Sequence, residues 1–433
     1  MSLFEWQRQG LLEREWALYD RLAPYYERIV VVSHGDNRDQ SIAQALGPKV
    51  SCIVNRDGLD SLRYAASLPE RFAQLGPFAD VVIKTNQMDD AGAACVLASS
   101  LRRQRKPVTL IARCGYLRSQ FLAHEFGPGS YRTVNAGLIE QTVIGAANLV
   151  VGTTQTIVDD LCWRDGLDTD HVRVIPNFVL ADYPIIDAED RDPNLLLYVG
   201  QLVARKRVDA LIRAVADLPP DPPLTLEIIG EGPEEQALRS LAMELNARVI
   251  FKPRLAHREV LARMSKASMY LQASALEGHP KSVLEAMSTG CVCIVADAPG
   301  LGCVIENGVT GVRVPGAPET FAYALAGLLE DTSWRQQIGA CAAEQVRSRY
   351  GLDRIAELEI EAHKAACRLA SNRCDLDRGV VRWNPLLLHQ DPEHIATAWR
   401  SSLKEMLSRI PDHQRQSVED AIVRSVSSLT SAA

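Results

Sequence analysis

Two glutamates eight positions apart, Glu277 and Glu285 in the stretch "LEGHPKSVLEAMSTG", are the residues of this sequence best placed to do chemistry. An ionised carboxylate is acceptor-only and suits paired hydroxyl groups. Upstream, "YVGQLVARKRVDALI" ends a strand-like run at Gly200 and sets Arg205 and Lys206 just before a helical run. Two cations beside a helix N-terminus suit a diphosphate. Pro280 keeps Leu276–Pro280 in a loop, because it fixes its own φ and disfavours helix at the residue before it. Ser282 is a predicted N-cap, and Glu285 three residues later completes a capping box. Gly290 stands where a left-handed C-cap belongs. Glu285 therefore has a purely structural explanation. Glu277, on a loop facing a helix start, has none as simple.

These residues must be held by an alternating framework. After a helical run, "QGLLEREWALYDRLAPYY", come the short Val- and Ile-rich runs "RIVVVSHG", "KVSCIVN", "ADVVIKTN", "PVTLIARCG", "NLVVGTT" and "VRVIPNF", with helical patterns between several of them. Such alternation predicts parallel β-α units covered on both faces. The proline- and acid-rich "ADYPIIDAEDRDPN" reads as a linker. The alternation then restarts with "LLLYVGQL", "LTLEIIGEG" (Gly230 at its mouth), "VIFKPRL", "MYLQAS" and "CVCIVAD". The fold expected is α/β, with two doubly wound, Rossmann-like domains and ligand at the carboxyl ends of the sheets. The boundaries expected are residues 1–183 and 194–350, a returning helix over 351–370, and a helical extension over 371–433 whose two amphipathic runs could pack on the body or on a second copy.

At 433 residues the chain is too long for one ordinary core, which favours two domains. A net charge of −7 argues against a general nucleic-acid binder. The ten cysteines show no CxxC spacing, so zinc and thioredoxin-like readings have no support and reduced thiols in a cytoplasmic protein fit. The N-terminus lacks a signal-peptide core and no apolar run approaches membrane-spanning length, so a cytoplasmic protein is expected, at most peripheral at the inner membrane face. The run "RRQRK", Arg102–Lys106, is explained by a solvated helix C-terminus; a membrane-facing patch for a lipid-linked acceptor is the functional alternative. His34, at a strand end, reads first as an ordinary hydrogen-bonded residue.

The order and spacing of "VGQLVARKR", "IIGEGPEEQAL", "EGHPKSVLEAMSTG" and "NGVTGVRVP" resembles the family 4 retaining glycosyltransferases of GT-B fold, over most of residues 1–370 and most strongly from Leu195 to Pro315. The resemblance implies transfer of a sugar from a nucleotide-sugar donor to a carbohydrate or lipid-linked acceptor with retained configuration and no metal, in bacterial surface polysaccharide or glycolipid assembly. It puts Glu277 by the donor sugar hydroxyls, Glu285 at the nucleotide's ribose, the backbone of Lys281, Ser282 and Val283 at the distal phosphate or sugar, and Gly200, Gly230, Arg205 and Lys206 around the diphosphate. The backbone of Arg254 and Leu255 would border the base. Gln201 stands where the family usually has an Arg. Arg113 stands near the family's acceptor-side His, and Cys303 replaces a common Glu. Gly10 would be the remnant of a glycine loop after a first strand, so the reading frame is expected to begin upstream, and a chain starting at Met1 to be poorly soluble or weakly active. A catalytically impaired GT-B scaffold is the alternative; an epimerase or phosphorylase is disfavoured by the glutamate spacing and the lack of a cofactor-lysine motif.

Overall fold

The computed structural model describes residues 2–88, 91–180, 183–186, 188–219, 221 and 223–372. The expected helical extension falls, beyond Asn372, outside the described residues. The described residues form two compact units, one of residues 2–58, Arg113–Tyr116 and Leu149–Arg368, the other of Leu59–Ala112 and Leu117–Asn148.

The larger unit is built on a six-stranded parallel sheet with the spatial order Val312–Val314, Val292–Ala296, Ala267–Gln272, Asp192–Val199, Thr225–Ile229, Val249–Lys252. In chain order this is 6-5-4-1-2-3, the doubly wound arrangement. The alternation expected from the sequence is thus present as a parallel α/β fold. Its central strands are continuous apolar runs because both faces are covered. Leu196, Leu197 and Tyr198 of the first strand pack with Met269, Tyr270 and Leu271 of the fourth and Cys293, Ile294 and Val295 of the fifth in one core. The helices Val208–Ala216 and Lys281–Ser288 contribute Leu211, Ile212, Val283 and Met287 to that core. The sheet order reverses between the first and fourth strands, so the segments following Val199 and Gln272 emerge side by side at the carboxyl edge.

Two further parallel pairs belong to this unit, Ile29–Val32 with Val50–Ile53 and Leu149–Gly152 with Val172–Val174. Before them run the helices Leu3–Arg8 and Leu12–Leu22, joined at Gly10. Asp39, buried, accepts the backbone N–H groups of Leu3 at 3.1 Å and Phe4 at 2.7 Å, and so anchors the first of these helices. The helix Leu352–Asn372 carries Ile355, Ala362 and Ala366 as buried residues. In the smaller unit, Val81–Lys84 pairs in parallel with residues 108–111, and helices Ser61–Ala73 and Gly92–Arg103 pack on one another.

Candidate active site

The first strand of the large sheet ends at Val199, just before Gly200, and a single 3₁₀ turn, Ala204–Lys206, leads into the helix Val208–Ala216. Arg207 takes a left-handed φ of 49° to make that junction. Gly230, after the second strand, has φ +155°, and a Cβ there would lie 1.8 Å from the Gly200 carbonyl oxygen. Only glycine lets these two loops approach so closely. After the fourth strand the chain runs through Ala273–Leu276 to Glu277, whose N–H donates to Pro299 O at 2.9 Å.

The reversal point of the sheet therefore brings Glu277 to Arg205 and Lys206. Lys206 Nζ donates to Glu277 Oε1, and Arg205 NH1 lies 3.6 Å from Oε2 while donating to Leu276 O at 2.7 Å. Gln272 Nε2 donates to Glu277 Oε1 at 2.9 Å. Burial would raise the Glu277 carboxyl, but the charge and hydrogen bond of Lys206, with Arg205 behind, hold it below the usual carboxylate range. The result is an ionised, largely buried carboxylate between two cations.

The helix Lys281–Ser288 begins differently from the expectation. Its N-cap is Pro280, with no side-chain cap, and Pro280 O takes the first helical bond from Leu284 N at 3.2 Å. Ser282 lies inside the first turn, its Oγ 2.9 Å from the Tyr270 hydroxyl, so it is not free to cap. Gly290 does close the helix, with φ +75°. The Tyr270 hydroxyl is also 2.9 Å from Gln272 Oε1 and 3.1 Å from Val199 O. A line of hydrogen bonds, Ser282–Tyr270–Gln272–Glu277, thus ties the helix start to the first glutamate.

Glu285 makes no capping box either. Its Oε1 receives Arg14 NH1 at 3.0 Å and His257 Nε2 at 3.0 Å. Burial pushes this carboxyl up, yet the Arg14 charge and the His257 hydrogen bond hold it below its ordinary value. Arg14 NH2 reaches Glu15 Oε1 at 2.6 Å, and the same oxygen receives Lys281 Nζ at 2.8 Å. Lys281, Glu15, Arg14, Glu285 and His257 thus form one connected chain of charges and ring nitrogen. Sequence reasoning missed Arg14, Glu15, His257, Gln272 and Tyr270. A signal existed only for the first two, as adjacent opposite charges in a helix first turn, and nothing local announces a partner 271 residues away.

The other expected positions fall as follows. Gln201 is exposed, and its carbonyl accepts the Tyr198 hydroxyl at 3.0 Å. Arg254, exposed, donates from its backbone to Glu231 Oε1 at 3.4 Å and from NH1 to Gln9 Oε1 at 2.5 Å, and Leu255 packs at the core edge. Val283 is fully buried. Gly10, φ +66°, is preceded by a helix and lies against Ala256, where a Cβ would come 2.7 Å from Cα. Its carbonyl accepts His257 N at 3.3 Å. Arg113 is buried and ion-paired to Glu359 at 3.0 Å, with Asn177 Oδ1 at 3.2 Å, so its charge is balanced within the protein. Asn177 in turn donates its backbone N–H to His279 Nδ1 at 3.0 Å. Cys303 is exposed, with its thiol 3.0 Å from Gly300 O. Among the described residues no group of three or more His, Cys, Asp or Glu is arranged to hold a metal ion, and no helix is long and apolar enough to cross a membrane.

Residues 183–345, which carry all of this constellation except its N-terminal partners, match the family of glycosyl transferases group 1. The chain has the GT-B fold. Anabaena HepE, solved with UDP and glucose, superposes with a TM-score of 0.66 at 19% identity over 81% of this chain and 95% of that one. Sucrose-phosphate synthase from Thermosynechococcus elongatus gives 0.64 at 20% identity over 80% and 91%. In sequence, D-inositol 3-phosphate glycosyltransferase of Streptomyces bingchenggensis is 26% identical over 253 residues, 53% of this chain and 55% of that protein. Glycogen synthase of Mycobacterium tuberculosis is 27% identical over 238 residues, 53% and 57%. The chain spans about half the length of the curated relatives it matches.

Proposed function

We propose that this chain is a retaining, metal-independent glycosyltransferase that moves a sugar from a nucleotide-sugar donor to a carbohydrate or lipid-linked acceptor, in surface polysaccharide or glycolipid assembly. The observation that carries the reading is the buried Glu277 carboxylate held between Arg205 and Lys206 at the reversal point of the doubly wound sheet. The family match over residues 183–345 and the UDP and glucose named for HepE support it. In this reading Arg205 and Lys206 neutralise the departing diphosphate, Glu277 orients the sugar through its hydroxyls, and the acceptor attacks on the face the diphosphate leaves. Glu285 and the segment Arg254–Leu255 receive the nucleoside. The test is incubation with a panel of nucleotide sugars and acceptors, following release of nucleoside diphosphate and the anomeric configuration of the product by NMR. Release with retention is expected. Inversion would remove the mechanism, and no release with any donor would favour a binding scaffold.

A further inference from the structure

The five-membered charge chain at the second glutamate includes a residue that the transfer mechanism does not use. Glu15 comes from the helix Leu12–Leu22, 266 residues from Lys281, and bridges two cations, Arg14 and Lys281. The two carboxylates of this chain stand on unequal terms. Glu285 is the deeper, held by His257 as well as Arg14, and would keep both partners if Glu15 were neutralised. Lys281 would not. It is the first residue of the helix Lys281–Ser288, the end at which a positive charge is disfavoured, so it demands an anion. Lys281 also adjoins the rest of the site, because its neighbour Ser282 is joined through Tyr270 and Gln272 to Glu277.

We propose that Lys281 and Arg14 form a phosphate subsite for the nucleoside diphosphate part of the donor, and that Glu15 is its internal counter-anion, which the phosphate must displace. The inference rests on the transferase reading above and assigns to it residues from the N-terminal helix. Lys281 has 37% of its side chain exposed and Arg14, more covered, 16%, so an incoming anion reaches Lys281 first and Arg14 behind it. Glu15 is held ionised by Lys281 and Arg14 against the opposing effect of burial, its pKa pushed down to about 2, and therefore carries a full negative charge at any working pH. A ligand anion competes with it directly, and the protein is left with a carboxylate that swings into solvent while Arg14 keeps Glu285.

The consequence runs opposite to that of an ordinary binding residue: removing the Glu15 charge strengthens binding. Isothermal titration of the full chain with UDP, ADP and GDP, and with uridine, adenosine and guanosine as controls, reads this out. For whichever diphosphate the wild type binds, Glu15→Gln is expected to tighten Kd about tenfold and to leave the nucleoside unchanged. Lys281→Met is expected to weaken the diphosphate about tenfold, and the gain from Glu15→Gln should shrink in the double variant. Should Glu15→Gln fail to fold, Lys281→Met alone decides: unchanged diphosphate binding overturns the subsite. Diphosphate binding that is equal or weaker in Glu15→Gln overturns the counter-anion while leaving the transferase reading in place. Absence of diphosphate binding in wild type and Glu15→Gln alike overturns both.

Discussion

Replacing Glu277 by Gln keeps the side-chain volume and removes one charge, which isolates what the carboxylate does. In the wild type Oε1 takes Lys206 and Gln272, while Oε2 faces Arg205 at 3.6 Å. At an effective dielectric of about 20, that single Arg205 contact is worth roughly 4–5 kcal/mol of gross attraction. Much of it is offset because the neutral amide no longer bears the cost of burying a charge. The amide also turns an NH₂ toward one of two cations, and Lys206, mostly covered, loses its carboxylate partner. The expected net loss is ~2–3 kcal/mol, a fall in Tm of about 4–10 °C for a unit of this size. Turnover should fall far more, by about 10² or greater, since an interaction that orients the sugar counts most in the transition state. Calorimetry and initial rates of nucleoside diphosphate release measure the two losses on one preparation. The sign with pH follows too. A carboxyl held below its unfolded value stabilises the fold above about pH 4.3, and this contribution is lost as pH falls through the depressed folded value. Glu277→Gln should therefore show a shallower acid loss than wild type. A Glu277→Gln protein with wild-type kcat/KM would refute the role of the carboxylate, whatever its stability.

Turnover should persist in excess EDTA and collapse in an Arg205→Glu, Lys206→Glu double variant; activity lost to chelator and restored by magnesium would contradict charge neutralisation by these side chains. His279 is held neutral, its pKa pushed down to about 3 by burial first and then by Arg113 and Lys281. Its contribution to stability is thus complete above an unfolded value near ~6.5 and shrinks as pH falls toward 3, by up to about 1.4 kcal/mol per pH unit; urea midpoints at pH 7.5 and 5 should separate wild type from His279→Gln, and parallel losses in the two would exclude it. Gly230→Ala forces a Cβ to 1.8 Å from Gly200 O at a positive φ, and should cost more than about 3 kcal/mol in urea unfolding; a wild-type midpoint would mean the two loops part easily.

The strands were legible because buried parallel strands are uninterrupted apolar runs, and "LLLYVGQL" and "CVCIVAD" could hardly be anything else. Gly200, Gly230 and Gly290 were legible as places where the backbone turns or approaches closely. Arg205, Lys206 and Glu277 could be named as candidates from their positions at strand ends, since strand order alone carries such ends together. Arg14 and Glu15 could not. Their helix reads as a solvated amphipathic element with charges at its start, and the same pattern serves equally well when those charges meet only water. His257 was hidden for a similar reason: a histidine at the start of a helix has no local mark that its Nε2 will face a carboxylate.

The misread helix start shows how tertiary contacts overrule a local signal. A Ser-x-x-Glu pattern offers the helix two side-chain bonds, worth about 1 kcal/mol for the cap. Tyr270, on a central strand, buries its ring in the core and needs a partner for its hydroxyl. It finds Ser282 within hydrogen-bond distance, which removes the cap. Glu285, no longer reciprocated by Ser282, gains two charge-assisted contacts from Arg14 and His257, each stronger than the bond it gives up. Both residues therefore leave the helix terminus for tertiary partners, and the first turn of Lys281–Ser288 is left without a side-chain cap. A helix start in that state still needs negative charge nearby, and the group that Lys281 now holds there is the carboxylate of Glu15.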